Sequence, residues 1–203
     1  FELEHDAFGL DFKTVRGRLD ALDEACRILK GMFTGEPFSL KGKHYTVDNA
    51  RGLPVPVQKP HPPIMIGGSG EKILLRIVAE HADMWNTSGD ADRLAHLVDV
   101  IRRHGDAVGR DTEQIEKTVM MPMCYGGGAE REKFMTQLIA GMQQCTPDEA
   151  RRRIMMGSKD ECLETVARYG KAGVTHFIFM AFQPVFPDEL QAFAEDVAPA
   201  ARA

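Results

Sequence analysis

Pro62-Pro63-Ile64-Met65-Ile66-Gly67-Gly68-Ser69-Gly70, followed by a helical stretch to His81 and then Ala82-Asp83-Met84-Trp85-Asn86, decides the fold. The prolines force an extended approach. Ile64-Met65-Ile66 is a short apolar run of the buried-strand type, the glycines make a bend, and Ile73, Leu74, Ile77 and Val78 share one face of the helix that follows. The order is strand, glycine bend, amphipathic helix, strand. Such a bend at the carboxyl end of a strand presents backbone N–H groups and the positive end of a helix dipole, the arrangement in which α/β proteins hold phosphate. A bare Gly-Gly-x-Gly also occurs in plain turns where glycine only relieves backbone strain, so the phosphate reading needs support from its surroundings.

The same unit recurs along the chain. Residues 14 to 33 carry Val15, Leu19, Leu22, Cys26, Leu29 and Phe33 at spacings of three and four, a strong amphipathic helix. A second helix, capped by Asp90 or Asp92, bears Leu94, Leu97, Ile101 and Val108. Lys117 to Tyr125 reads as a third strand and Thr175 to Met180 as a fourth, apolar on both faces. Thr146-Pro147-Asp148-Glu149 and Ser158-Lys159-Asp160-Glu161 both have the order of a capping box, and a closing helix is expected from about Asp188 to Val197. Residues 34–61, rich in glycine and proline, read as an extended excursion with a possible small hairpin, and residues 126–157 as a helical insertion.

Continuously apolar strands alternating with amphipathic helices imply a parallel sheet buried on both sides. Four strand–helix units amount to half of an eight-unit barrel of typically ~250 residues. The expectation is therefore an α/β chain, residues 1–203 forming one partial domain that corresponds to the carboxyl-terminal half, strands five to eight, of a (β/α)8 TIM barrel. The chain begins at Phe1, which fits a piece that starts after the fourth strand.

Composition narrows the partners. A formal charge of −5 argues against a nucleic acid or an anionic membrane surface, both of which need a dense basic face. No apolar run approaches the ~20 residues of a membrane span, so a cytoplasmic setting is the default. Cys26, Cys124, Cys145 and Cys162 form no Cys-x-x-Cys pair and the seven histidines show no ligand spacing, so neither disulfide nor metal is expected. His81 and His176 read as satisfied structural histidines, and Asp83 as a residue that fixes neighbouring backbone.

The order of motifs resembles the bacterial luciferase-like family of flavin and deazaflavin oxidoreductases, in particular its F-420-dependent branch. The matching residues are Glu4-His5-Asp6-Ala7-Phe8-Gly9, Tyr45, Pro54 to Pro63, Ile66-Gly67-Gly68-Ser69-Gly70-Glu71, Ala79 to Asn86, and Ala172 to Phe177. The resemblance implies a barrel whose carboxyl-end loops hold coenzyme F-420 or, alternatively, FMN. It also implies that Gly67, Gly68, Ser69 and Gly70 lie against the cofactor phosphate, the same loop that the dipole argument selects. Trp85 and Asn86, at the end of the next strand, are candidates to face the cofactor ring or a small organic substrate; in the alternative Trp85 caps the barrel core and Asn86 starts a turn. Glu4 and His5 are the weak candidates for acid–base work, and catalytic residues on the absent strands are unknown.

The expected activity is oxidoreduction: hydride transfer with reduced F-420, or FMN-dependent monooxygenation, in a full-length protein that forms a homodimer. Two rival readings stay open. One is a non-redox phosphate-binding barrel enzyme, which would place a lysine or paired carboxylates at strand ends. The other is a half-barrel serving only as a binding or assembly module.

Overall fold

The computed structural model describes residues 2–182 and 187–201. The chain opens with a short helix α1 (Glu2–Ala7), then the long helix α2 (Val15–Phe33) and a hairpin, β1 (Phe38–Lys41) with β2 (Thr46–Ala50). The repeating part follows: β3 (Met65–Gly67), α3 (Leu74–His81), β4 (Met84–Thr87), α4 (Ala91–Val108) and β5 (Glu116–Tyr125). Next come α5 (Gly128–Gln143), α6 (Pro147–Arg151), β6 (Met155–Gly157), α7 (Lys159–Lys171), β7 (His176–Met180), α8 (Pro187–Asp196) and α9 (Ala198–Ala201).

The helix ends form where side chains supply the missing acceptors. Thr14 accepts from Gly17 N–H at the start of α2 and Asp90 from Arg93 N–H at the start of α4. Thr146 with Glu149, and Ser158 with Glu161, make the two reciprocal capping boxes that their spacing foretells.

Five parallel strands form the main sheet, in the order β3-β4-β5-β6, with β7 also paired to β5. The fold is thus α/β with a parallel sheet, but the sheet is open and no closed barrel is present among the described residues. It also holds one strand more than the four expected. The region 126–157 is not wholly helical, because its last residues, Met155 to Gly157, pair with Met123 to Tyr125. Three residues are too few to show a period, so β6 is invisible in the sequence. The excursion at 34–61 does contain an antiparallel hairpin, β1 with β2.

One face of the sheet is covered. Trp85, Ile66, Leu75, Leu97 and Ile101 form a buried cluster where α3 and α4 lie on the sheet, and Val119, Met121, Met123, Tyr169 and Phe193 form another beneath α7 and α8. The opposite face is covered only at its upper end, where Cys124 and Met156 pack against Met135 and Ile139 of α5. Register and alternation place Met65, Met84, Met120, Ile178 and Met180 on this opposite face, and Met65 and Met120 remain 44% and 36% exposed.

The hairpin is locked to α2 by a buried carboxylate. Glu24 accepts N–H bonds from Lys43, His44 and Tyr45 at 2.7, 2.9 and 2.8 Å. Burial pushes its pKa up, but the three donors outweigh burial and hold the carboxyl below its ordinary value. A depressed carboxyl contributes stability that is present above its unfolded pKa and lost as pH falls through the folded one. Glu24→Gln should therefore lower the melting temperature at neutral pH and flatten its decline below the usual glutamate range, as read by thermal unfolding across pH. In the core, Leu75→Ala at a fully buried position should cost about 2–5 kcal/mol in denaturant unfolding.

Candidate functional site

The bend after β3 lies at the carboxyl end of the parallel sheet, because β3 ends at Gly67. Gly68 takes φ +126°, which side chains rarely adopt, and a Cβ there would meet Leu74 Cδ2 at 2.5 Å. The chain therefore turns tightly over the first residue of α3, and it is the positive φ that calls for glycine there, since the tip of the Leu74 side chain can turn aside. Beyond Gly68, the N–H groups of Ser69, Gly70, Glu71 and Lys72 have no acceptor among the described residues. Ile73, the N-cap of α3, supplies no side-chain cap, and Leu75 N–H reaches back to Gly70 O at 3.0 Å. An uncapped helix start with a run of open donors is electropositive and suited to an anion.

Not every amide of the bend is open. Gly68 N–H donates to Asn86 O at 2.9 Å, which extends the β3–β4 pairing by one residue. Gly68 therefore shapes the bend without offering its own donor, and the open amides begin at Ser69.

Trp85 does not stand at the cleft. Its side chain is 0% exposed, among Leu75, Leu97 and Ile101, and its indole Nε1–H donates to Gly68 O at 2.8 Å. An aromatic ring on the helix-covered face has no route to a ligand on the other face, so the ring-facing expectation is corrected: Trp85 is a positioning residue that pins the bend from below. Asp83 fixes backbone, accepting from Ile64 N–H at 2.8 Å at the entrance to β3.

Asn86 does lie on the uncovered face, and its Nδ2 donates to Thr118 Oγ1 at 2.7 Å. Register extends this pair into a row. Gly67 pairs with Asn86, Asn86 with Thr118, and Thr118 with His176, so these four residues cross adjacent strands at one level of the same face. His176 Nδ1 lies 3.0 Å from Glu116 Oε1. Thr118, wholly buried, is the member that sequence reasoning missed. Only strand parity within residues 117–125 marks it, and parity does not say which neighbour it meets.

Glu4 and His5 sit on α1, none of whose residues is buried and which packs extensively on no other element. His5 meets the ring of Phe12 edge-on at 4.9 Å. The structure does not bring this pair to the bend. The buried thiols are equally remote from chemistry: burial raises the pKa of Cys26 and Cys124, and that of Cys162 to about 11, which keeps them protonated and inert. No helix among the described residues is long and apolar enough to cross a membrane.

An open parallel α/β sheet with a glycine bend at its carboxyl edge defines the class. A family model described as luciferase-like monooxygenase matches residues 1–138. The chain belongs to the luciferase-like monooxygenase family. Among curated proteins it is 27% identical over 143 residues to uncharacterized proteins of Mycobacterium tuberculosis and Mycobacterium bovis, covering 69% of this chain and 47% of theirs. The chain thus spans about half the length of the curated relatives it matches.

Solved structures share its fold. An F420-dependent secondary alcohol dehydrogenase in complex with an F420-acetone adduct superposes with a TM-score of 0.79 at 18% identity, over 95% of this chain and 64% of that one. The coenzyme F420 dependent tetrahydromethanopterin reductase of Methanopyrus kandleri gives 0.79 at 16% identity, over 98% and 72%. EDTA monooxygenase from Chelativorans sp. BNC1 gives 0.76 at 14% identity, over 97% and 62%.

Trp85→Phe keeps the ring volume largely intact but removes the donor to Gly68 O. It should cost about 1–3 kcal/mol for the acceptor left without its partner, measured by urea unfolding, and hydrogen exchange at Ser69 and Gly70 should quicken relative to that at α4.

Proposed function

We propose that this chain is the carboxyl-terminal part of a flavin-type oxidoreductase, and that the bend at residues 67–70 with the first turn of α3 holds the phosphate of the cofactor. The observation that carries the reading is the run of open N–H groups from Ser69 to Lys72, set directly after Gly68, whose φ of +126° favours glycine. The donor set suits a phosphate, since these backbone donors lie at the uncapped start of α3 and the one acidic residue in the run, Glu71, is engaged by His96 and Arg93. Coenzyme F-420 is favoured as the cofactor and FMN is the alternative; when bound, the first supplies a hydride and the second, reduced, supplies electrons to oxygen.

The chain's own residues have supporting tasks. Trp85 fixes the bend, Asn86 and Thr118 hold each other at one level of the uncovered face, and the apolar residues Met84, Met120 and Ile178 around that row exclude water from whatever lies against it. The small organic substrate would be set by loops at the strand ends. Strand ends at Gly67, Thr87, Tyr125, Gly157 and Met180 supply no lysine and no carboxylate, which favours a redox cofactor over an aldolase or isomerase site.

The uncovered face supports a larger assembly. A parallel sheet is stable when both faces are covered, yet Met65 and Met120 are exposed and β3 and β7 each lack a partner on one side among the described residues. We propose that further strands pair with β3 and β7 to close a (β/α)8 barrel in the full-length enzyme, which forms a homodimer in the cytoplasm.

Gly68→Val should weaken binding of F-420 or FMN by more than about tenfold, or about 1.4 kcal/mol, because a β-branched residue is strained at the φ of +126° that shapes the bend. Gly141→Ala, in open space on α5, is the control and should leave binding unchanged. Cofactor fluorescence on titration with protein checks both. Absence of binding below millimolar for both cofactors, or wild-type affinity in Gly68→Val, would refute the reading.

A further inference from the structure

Asp23 of α2 and Glu80 and His81 of α3 bring one carboxylate oxygen each and an imidazole nitrogen to within 4.8 Å of one another. His81 Nε2 lies 3.0 Å from Asp23 Oδ1 and 3.8 Å from Glu80 Oε2. Ligands bound at 2.0–2.1 Å in a tetrahedral site stand roughly 3.4 Å apart, so the two measured separations straddle the edge of such a site. We propose that these three side chains form a binding site for a first-row divalent cation such as Zn2+, with water completing the coordination.

Several features support the assignment. One imidazole with two carboxylates is a donor set of the borderline type that zinc and its neighbours accept, and Mg2+ is disfavoured by the nitrogen. The ligands come from two different helices, so a bound ion would join α2 to α3. The histidine side chain is 15% exposed and the carboxylates 26% and 22%, which leaves an open side for water. Glu80 is held ready by Arg76, whose Nη1 donates to its other oxygen, Oε1, at 2.5 Å, an outer-shell bond of the kind that orients metal carboxylates. Asp23 and Glu80 carry two formal negative charges against the single positive charge of Arg76. Arg27 and Lys30 line the groove beside His81 and lower the affinity without occupying the site.

The site is remote from the glycine bend. His81 closes α3 at its carboxyl terminus, whereas the bend opens the same helix, so the ion would stabilise the packing of α2 on α3 and take no part in cofactor binding. In the ion-free state Asp23 Oδ1 and His81 Nε2 lie 3.0 Å apart, close enough for one cation to take both as ligands.

The test uses the whole chain. Equilibrium dialysis against micromolar ZnCl2, with MgCl2 as the comparison, should give one zinc per chain and no retained magnesium, and zinc should raise the melting temperature. Asp23→Asn and His81→Gln should each weaken zinc binding by at least about tenfold, the smaller effect seen even for loss of an outer-shell partner, with far-UV circular dichroism confirming that both fold. His96→Gln, at an exposed histidine beside Glu71, should bind as the wild type does. A Co2+-loaded sample should show no thiolate charge-transfer band, which separates this site from binding at the cysteines. No zinc retained below millimolar, or undiminished binding in both Asp23→Asn and His81→Gln, overturns the proposal.

Discussion

Glu116 to Tyr125 is a ten-residue strand on which every other strand of the main sheet except β3 depends directly. Its lower part pairs with β4 and β7, so that Thr118 and Val119 have a strand on each side, and its upper part pairs with β6. That constraint explains its composition. Val119, Met121 and Met123 must be apolar to meet α7 and α8, whereas Thr118 on the opposite face is free to carry a hydroxyl toward Asn86. It also explains Lys117, whose ammonium is buried at the strand's foot and is tolerated because it donates to Thr112 O at 2.8 Å and reaches Glu113 O and Oε2.

The glycine bend inherits its position from that sheet. β4 is held by β5, β3 is held by β4, and the bond from Gly68 N–H to Asn86 O carries the pairing one step past the last strand residue. Trp85, locked in the core between α3 and α4, then takes Gly68 O, so the carbonyl and the amide of one glycine are both fixed from β4. With both directions used, the backbone that follows must expose its donors at the start of α3. The electropositive patch is thus a geometric consequence of how the strand ends, and the φ of +126° at position 68 favours glycine there.

Two surfaces have opposite physical character. The uncovered face of the sheet is apolar except for the row formed by Asn86, Thr118 and His176 and for Glu116, which meets His176, and is thus suited to protein or a largely apolar ligand. The outside, where α2 leans on α3, is charged and carries Asp23, Glu80 and His81 within reach of one another. The sheet stands between these two regions, so binding at one need not disturb the other.

Local chemistry by itself determined the longer helices, the caps at Asp90, Thr146 and Ser158, and the strands β3, β4, β5 and β7. The capping boxes at Thr146 and Ser158, the stripe of α2 and the apolar runs at 64–66, 83–86 and 117–125 each encode their element within a few neighbouring residues, and so does the glycine bend. Tertiary structure alone decided the rest, because it depends on which distant residues meet. Pairing of Met155 to Gly157 with β5 made a strand out of a segment with no period of its own. The side of the sheet on which α3 and α4 pack turned Trp85 inward rather than toward a ligand. Sequence spacing likewise shows no metal pattern, since Asp23 is brought beside residues 80 and 81 only by the packing of α2 on α3.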